Sequence, residues 1–247
     1  MQRTALVTGS GRNIGRAIAL ALGRASMSVV VNGHRDRGAV DRVVSEIEAG
    51  GGRAIGIMAD VSKHDDVAAM IAQAVAKFGS LDITISNVAV RKKQAFLDVS
   101  VDDWHATLAT NLSPAFYIAR NAIPHMKARG WGRIIHISGF DAFWGQVTER
   151  APSIAAKGGL HGLSKALGRE FGPAGITANT LAPGAIDTKR DWSQYTHQPK
   201  AQLEREIPVG RYGHVDEIAA TCTFLVSDGA AFINGQVIHA NGGHYMY

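Results

Sequence analysis

Seven short runs of aliphatic and β-branched residues, spaced by longer amphipathic stretches, run through this 247-residue chain. They are Ala5–Thr8, Ser28–Asn32, Ala54–Met58, Ile83–Ser86, Arg133–Ile137, Thr177–Leu181 and Gln236–His239. A strand that is apolar along nearly its whole length keeps no face for water, so it belongs in a parallel sheet covered on both sides. The intervening stretches carry helical periodicity. In the first, Ile14, Ile18 and Leu22 fall on one stripe. Such alternation predicts one α/β domain over residues 1–247, a doubly wound parallel seven-stranded sheet with helices on both faces. There is no internal repeat and no linker rich in Pro, Gly and Ser.

Composition narrows the function classes. The net charge of +5 is mild, and the Lys and Arg residues are scattered, the longest run being Arg91-Lys92-Lys93. That distribution argues against nucleic acid and for phosphate-bearing small molecules. Cys222 is the only cysteine, so no intrachain disulfide can form, which fits a reducing compartment. The chain enters an apolar run directly after Gln2-Arg3-Thr4, without a signal-peptide layout, and no apolar run reaches the length of a membrane span. These features predict a cytoplasmic protein with no membrane partner and no metal site. One stretch breaks the rhythm: residues 189–206 are polar and punctuated by Trp192, Tyr195 and Pro199. Following the sixth strand, they sit where such folds bind ligands. We expect a substrate lid there, a solvated helical hairpin being the plainer alternative.

The loop after the first strand reads Thr8-Gly9-Ser10-Gly11-Arg12-Asn13-Ile14-Gly15. Glycines in such a loop let backbone N–H groups approach a phosphate at a helix N-terminus. The dinucleotide fingerprint G-x-G-x-x-G fails, because its third glycine would be Ile14. Asn13 tolerates left-handed backbone better than most residues, so the turn can survive with it. Further along stand Asp60-Val61 after the third strand, SNVA with Asn87 after the fourth, ATNLSPAF with Asn111, IIHISGF with Ser138, APSIAAK with Ser153 and Lys157, and PGAIDT with Pro183, Gly184 and Thr188.

Taken together, these motifs resemble the short-chain dehydrogenase/reductase family over nearly the whole chain, most closely its 3-oxoacyl-carrier-protein reductase branch. The resemblance implies a Rossmann-type fold, a nicotinamide dinucleotide, an alcohol/carbonyl substrate pair and a homodimer or homotetramer. The loop matches the family's T-G-x-x-x-G-x-G with Asn13 at the middle glycine. Gly9, Gly11, Arg12, Asn13, Ile14 and Gly15 would then face the pyrophosphate and Asp60 and Val61 the adenine, Asn87 would bind the cofactor from the place of the family's N-N-A-G, and Pro183, Gly184 and Thr188 would face the nicotinamide carboxamide. NAD users place a carboxylate after the second strand. Here that strand ends Asn32-Gly33-His34-Arg35, with no acid until Asp36. Arg12, Arg35 and His34 suit a 2′-phosphate, so NADP(H) is expected over NAD(H).

The resemblance also implies a catalytic set, and the chain departs from it twice. Asn111 and Lys157 match the family's asparagine and lysine. The tyrosine four residues before the lysine is Ser153, and no tyrosine lies between Tyr117 and Tyr195. The family's second serine of I-S-S is Gly139, with Ser138 one residue earlier and expected on the opposite strand face. A serine hydroxyl is shorter than a phenol and titrates far above its pKa of about 10. Ser138, Ser153 and Asp141 are therefore candidate helpers for the proton. Three functions stay open: an oxidoreductase with a non-standard proton donor, a dinucleotide-binding sensor or scaffold without turnover, and a lyase or isomerase using Asp141 as base.

Overall fold

The computed structural model describes residues 2–144, 148–189 and 200–246. Its seven strands are β1 (Thr4–Val7), β2 (Ser28–Gly33), β3 (Arg53–Met58), β4 (Ile83–Ser86), β5 (Gly132–Ile137), β6 (Ile176–Pro183) and β7 (Val237–Ala240). They form one parallel sheet in the order β3-β2-β1-β4-β5-β6-β7. All seven expected strands are present. The largest difference is at β6, which runs on to Pro183 because Pro183 pairs in register with Ala240 of β7. A proline is tolerated at that end, since the next amide, Gly184 N, donates to the Ala240 carbonyl at 3.0 Å.

Alternate residues of each strand enter separate cores. Ala5, Val7, Val29, Val31, Ile135 and Ile137 join one core, and Leu6, Val30 and Ile134 join the other. On the first face lie α1 (Asn13–Arg24), α2 (Arg37–Ala49) and α8 (Val215–Leu225), contributing Ile18, Leu22, Val43, Ile47, Ile218 and Leu225. The second face is covered by α3 (His64–Phe78) and α5 (Ser113–Arg129) through Val67, Met70, Ile71, Ile118, Ala122 and Met126. α4 (Val101–Asn111), α6 (Ala151–Phe171) and α7 (Lys200–Glu206) complete the described helices. None of these is long and apolar enough to cross a membrane.

The chain runs outward from β1 to β3, then returns to the middle and runs outward again from β4. The loops after β1 and β4 therefore diverge at one point, leaving a crevice at the carboxyl ends of the strands where ligands of such sheets bind. The motifs that follow β1, β3, β4, β5 and β6 stand at this edge. The expected lid over 189–206 falls mostly on residues 190–199, which lie outside the described residues; Lys200–Glu206 form α7.

Candidate active site

Gly9 opens the crevice with φ +59°. A Cβ on Gly15 would come within 2.4 Å of the Gly9 carbonyl oxygen and 2.7 Å of Asn87 Nδ2. Position 15, the last glycine of this loop, therefore admits no side chain, and that closeness brings the start of α1 under the crevice. Asn87 fastens the two loops: its amide N donates to Thr8 Oγ1 at 3.0 Å, and its Nδ2 donates to the Thr8 and Gly9 carbonyls at 3.1 and 3.3 Å. Asn13 has φ +49°, the left-handed geometry that asparagine tolerates. It also clasps the segment after β6, accepting from Lys189 N at 3.1 Å and donating back to Lys189 O at 3.5 Å.

Asn32 was not singled out in the sequence, although a polar residue closing the run Ser28-Val29-Val30-Val31 was a signal. It is buried, accepts from Gly9 N at 3.3 Å, and donates to the Ile57 and Ala59 carbonyls, both at 3.3 Å. The first acid after β2, Asp36, caps α2 by accepting from Ala39 N at 2.9 Å. His34 and Arg35 are exposed beside it, and His34 Nε2 lies 3.8 Å from Asp60 Oδ2. The Asp60 carboxyl is held below its usual range, first by the Ser62 hydroxyl against the opposing cost of burial, with smaller help from the Ser62 amide and from His34 and Lys63. Val61 is buried next to it.

A cleft of about 360 Å³ follows, reached by Gly9, Arg12, Asn13, Ile14, Gly15, and Asn87 on one side and Pro183, Gly184 and Thr188 on the other. Gly11, in the same loop, is not among the residues lining the cleft; its Cβ position packs against α2, 3.2 Å from Ala39. Lys157 closes the floor. It projects from α6, is 5% exposed, and donates from Nζ to the Ile137 carbonyl at 2.6 Å. Burial, and then the Arg91 charge, push this amine down to about 7 against an opposing pull from Asp141.

Ser153 lies one turn before Lys157 on α6 and is buried. Ser138 is also buried; its hydroxyl donates to the Lys157 carbonyl at 3.3 Å and lies 2.8 Å from His161 Nε2. The His161 ring stacks on Phe143 at 4.5 Å, and burial, with nearby cationic side chains, lowers it to about 4. Asp141 Oδ2 lies 3.8 Å from Arg150. His136, in the middle of β5, sits in the core, with Nδ1 2.8 Å from Ser164 Oγ and the ring pushed down to about 4, chiefly by burial.

Asn111 ends α4 and is committed to the backbone: Val90 N donates to Oδ1 and Nδ2 donates to Val90 O, both at 2.7 Å. The next residue is Arg91. In the sequence the run 91–93 could receive an anionic substrate but reads more simply as a solvated basic loop, and for its last two members the simpler reading holds in a modified form. Lys92 pairs with Asp103 at 2.9 Å and Lys93 with Glu149 at 3.0 Å. Arg91 instead lines the cleft. Along α6, Ala156 and Leu160 are buried, a Cβ on Gly159 would meet Leu112 at 2.9 Å, and Ala155 is exposed.

Comparison with known proteins adds to this geometry. The family model described as Enoyl-(Acyl carrier protein) reductase matches residues 9–245. A 3-oxoacyl-[acyl-carrier-protein] reductase FabG of Staphylococcus aureus is 37% identical over 246 residues, 100% of this chain and 99% of the relative. A 3-oxoacyl-[acyl-carrier-protein] reductase of Synechocystis is 36% identical over 99% of this chain and 98% of its own. Among solved structures, a double variant of a Serratia marcescens short-chain dehydrogenase/reductase superposes with a TM-score of 0.91 at 31% identity, covering 98% of this chain and 97% of that one.

Proposed function

Since this chain belongs to the short-chain dehydrogenase/reductase family, we propose that it is an NADP(H)-dependent oxidoreductase of an alcohol/carbonyl pair, with Lys157 in place of tyrosine as proton donor. The observation that carries this reading is a single cleft joining the phosphate loop, the Pro183-Gly184 turn, Thr188 and the buried Lys157 amine. The residues fit a dinucleotide: the Gly9–Gly15 turn leaves backbone where a Cβ would collide, at the N-terminus of α1. Gly9, Gly11, Arg12, Asn13, Ile14 and Gly15 would hold the pyrophosphate, Asp60, Val61 and Asn87 the adenosine side, and Pro183, Gly184 and Thr188 the nicotinamide. Asp36 is committed to capping α2 and His34 lies beside Asp60, which leaves Arg12 and Arg35 as the guanidinium groups to meet a 2′-phosphate, with His34 at its edge.

When bound, the nicotinamide supplies the hydride. Reduction of the carbonyl would consume that hydride at carbon and one proton at oxygen, and the proton is the part that the chain's own residues would have to supply. A general acid works best when its pKa lies near the working pH. Lys157, pushed to about 7, meets that condition where a serine hydroxyl does not. Asn111 acts through Val90, fixing the backbone at the cleft wall. We further propose a cytoplasmic homodimer or homotetramer. The test is NADPH oxidation against a panel of ketones and aldehydes, wild type beside Lys157→Met. Turnover that rises as pH falls through about 7 and collapses in Lys157→Met supports the assignment; NADPH binding without any hydride transfer refutes it.

A further inference from the structure

Resting on that reading, we infer that the substrate is an anionic carbonyl compound, an oxo acid or its hydroxy acid, and that Arg91 receives its carboxylate. Four cations line the cleft, Arg12, Arg91, Lys157 and Lys189, and no carboxylate is among the described lining residues. Arg12 and Lys189 stand beside the phosphate loop, Lys189 through its clasp with Asn13. Arg91 and Lys157 stand together at the other end, close enough that the arginine charge depresses the lysine.

Arg91 occupies its place by construction. The peptide before it is held on both sides by Asn111. The strap after it is tied outward by Lys92 and Gln94 to Asp103 and by Lys93 to Glu149, and Gln94 N donates to the Glu149 carbonyl at 2.8 Å. Each of these ties uses a neighbouring residue. Among the described residues, no ion pair or hydrogen bond engages the Arg91 guanidinium.

Among the described residues, a Cβ on Gly139 would meet a single neighbour within 4 Å, Arg91 Nη2 at 3.8 Å. The space left by the absent serine side chain is therefore faced by a guanidinium. Its planar fork binds a carboxylate through two parallel hydrogen bonds, which a single hydroxyl cannot do. A neutral acyl ester would leave this cation without a counter-charge on the substrate.

The test uses acetoacetate and its methyl ester, each with NADPH, on wild type, Arg91→Lys and Arg91→Gln. NADPH binding is measured for all three by calorimetry, and folding by circular dichroism. The expected result is that wild type prefers the acid over the ester by about 10–100-fold in kcat/KM, the ratio a charge-assisted hydrogen bond commands. Arg91→Gln removes the preference chiefly through KM, Arg91→Lys restores part of it, and NADPH affinity is unchanged in both. Equal use of acid and ester by wild type, or a preference that survives Arg91→Gln, overturns the inference. If wild type turns over neither compound, acetoacetate binding to the NADPH-loaded protein replaces turnover as the readout: binding lost in Arg91→Gln supports it, and no binding overturns it. Failure of NADPH itself to bind would instead strike the oxidoreductase reading, so the two failures are distinguishable.

Discussion

Lys157→Met deletes a buried amine while keeping most of the side-chain volume. In the wild-type chain burial, and after it Arg91, carry that amine from 10.5 down to about 7. In the unfolded chain the same lysine titrates near its reference value of about 10.4. Between these two values the unfolded state holds one more proton than the folded state, so stability rises with pH by up to about 1.4 kcal/mol per pH unit. The cost of burying the charge is fully present below about pH 7 and is gone above about pH 10.5. Methionine exchanges no proton. The stability of wild type relative to the variant should therefore climb by about 2–3 kcal/mol between roughly pH 7 and pH 9. Losing the 2.6 Å bond to the Ile137 carbonyl adds an offset of about 1–3 kcal/mol. That offset does not depend on pH, so the slope is the readout. Urea unfolding of both proteins without cofactor, followed by the fluorescence of the four tryptophans at several pH values, measures it. A flat difference across that window would mean that the amine stays charged when folded, and the case for Lys157 as a proton donor near neutrality would fall.

Three other perturbations bear on neighbouring parts of the site. Gly15→Ala pushes a methyl to 2.4 Å from the Gly9 carbonyl, and calorimetry should show NADPH affinity reduced at least about tenfold, some 1.4 kcal/mol; an unchanged Kd would separate this loop from the cofactor. Asn13→Ala forces a poor left-handed conformer and breaks the Lys189 clasp, for a loss of about 1–2 kcal/mol in thermal unfolding. Asn13→Gly breaks the clasp alone, so it should cost less, and equal losses would show that the backbone geometry is immaterial. Gly139→Ser combined with Ser153→Tyr restores the family's hydroxyls, position 139 having room for its Cβ. Ketone reduction should then rise by roughly 10²–10⁴-fold, and rates equal to wild type would show that the missing acid does not limit the wild-type enzyme.

The sheet was legible because burial on both faces imposes one compositional signature on every strand. Val29, Val30 and Val31 are all apolar, yet they enter two different cores. The exact end of β6 was not legible, since the pairing that extends it depends on Ala240, far along the chain. The glycine positions and the tolerance of Asn13 for φ +49° could be read locally, because a turn is a local matter. Asn32, by contrast, gains its meaning from the Gly9 amide and the Ile57 and Ala59 carbonyls, which only folding brings to it. Ser138 was expected on the strand face opposite Gly139, and its bonds run to Lys157 and His161 of α6.

Charge shows the same limit more sharply. A net +5 spread along the chain gives no direction, and three consecutive cations at 91–93 look alike in the sequence. Folding brings Asp103 to Lys92 and Glu149 to Lys93, and neither carboxylate adjoins the run in sequence. Two charges are thereby spent on holding the strap, and the third is left facing the cleft. Arg91 then does what an isolated surface cation cannot. It acts in a partly desolvated space, where opposing charges interact more strongly than in bulk water, and it draws the Lys157 amine toward its neutral form. The two effects are coupled in a definite direction. An anion bound at Arg91 would offset the arginine charge and raise the Lys157 pKa, so that substrate binding itself would protonate the group proposed to deliver the proton. In the acetoacetate experiment the kcat pH profile, which reports the bound complex, should therefore lie above the free-enzyme profile, and Arg91→Gln should abolish that separation.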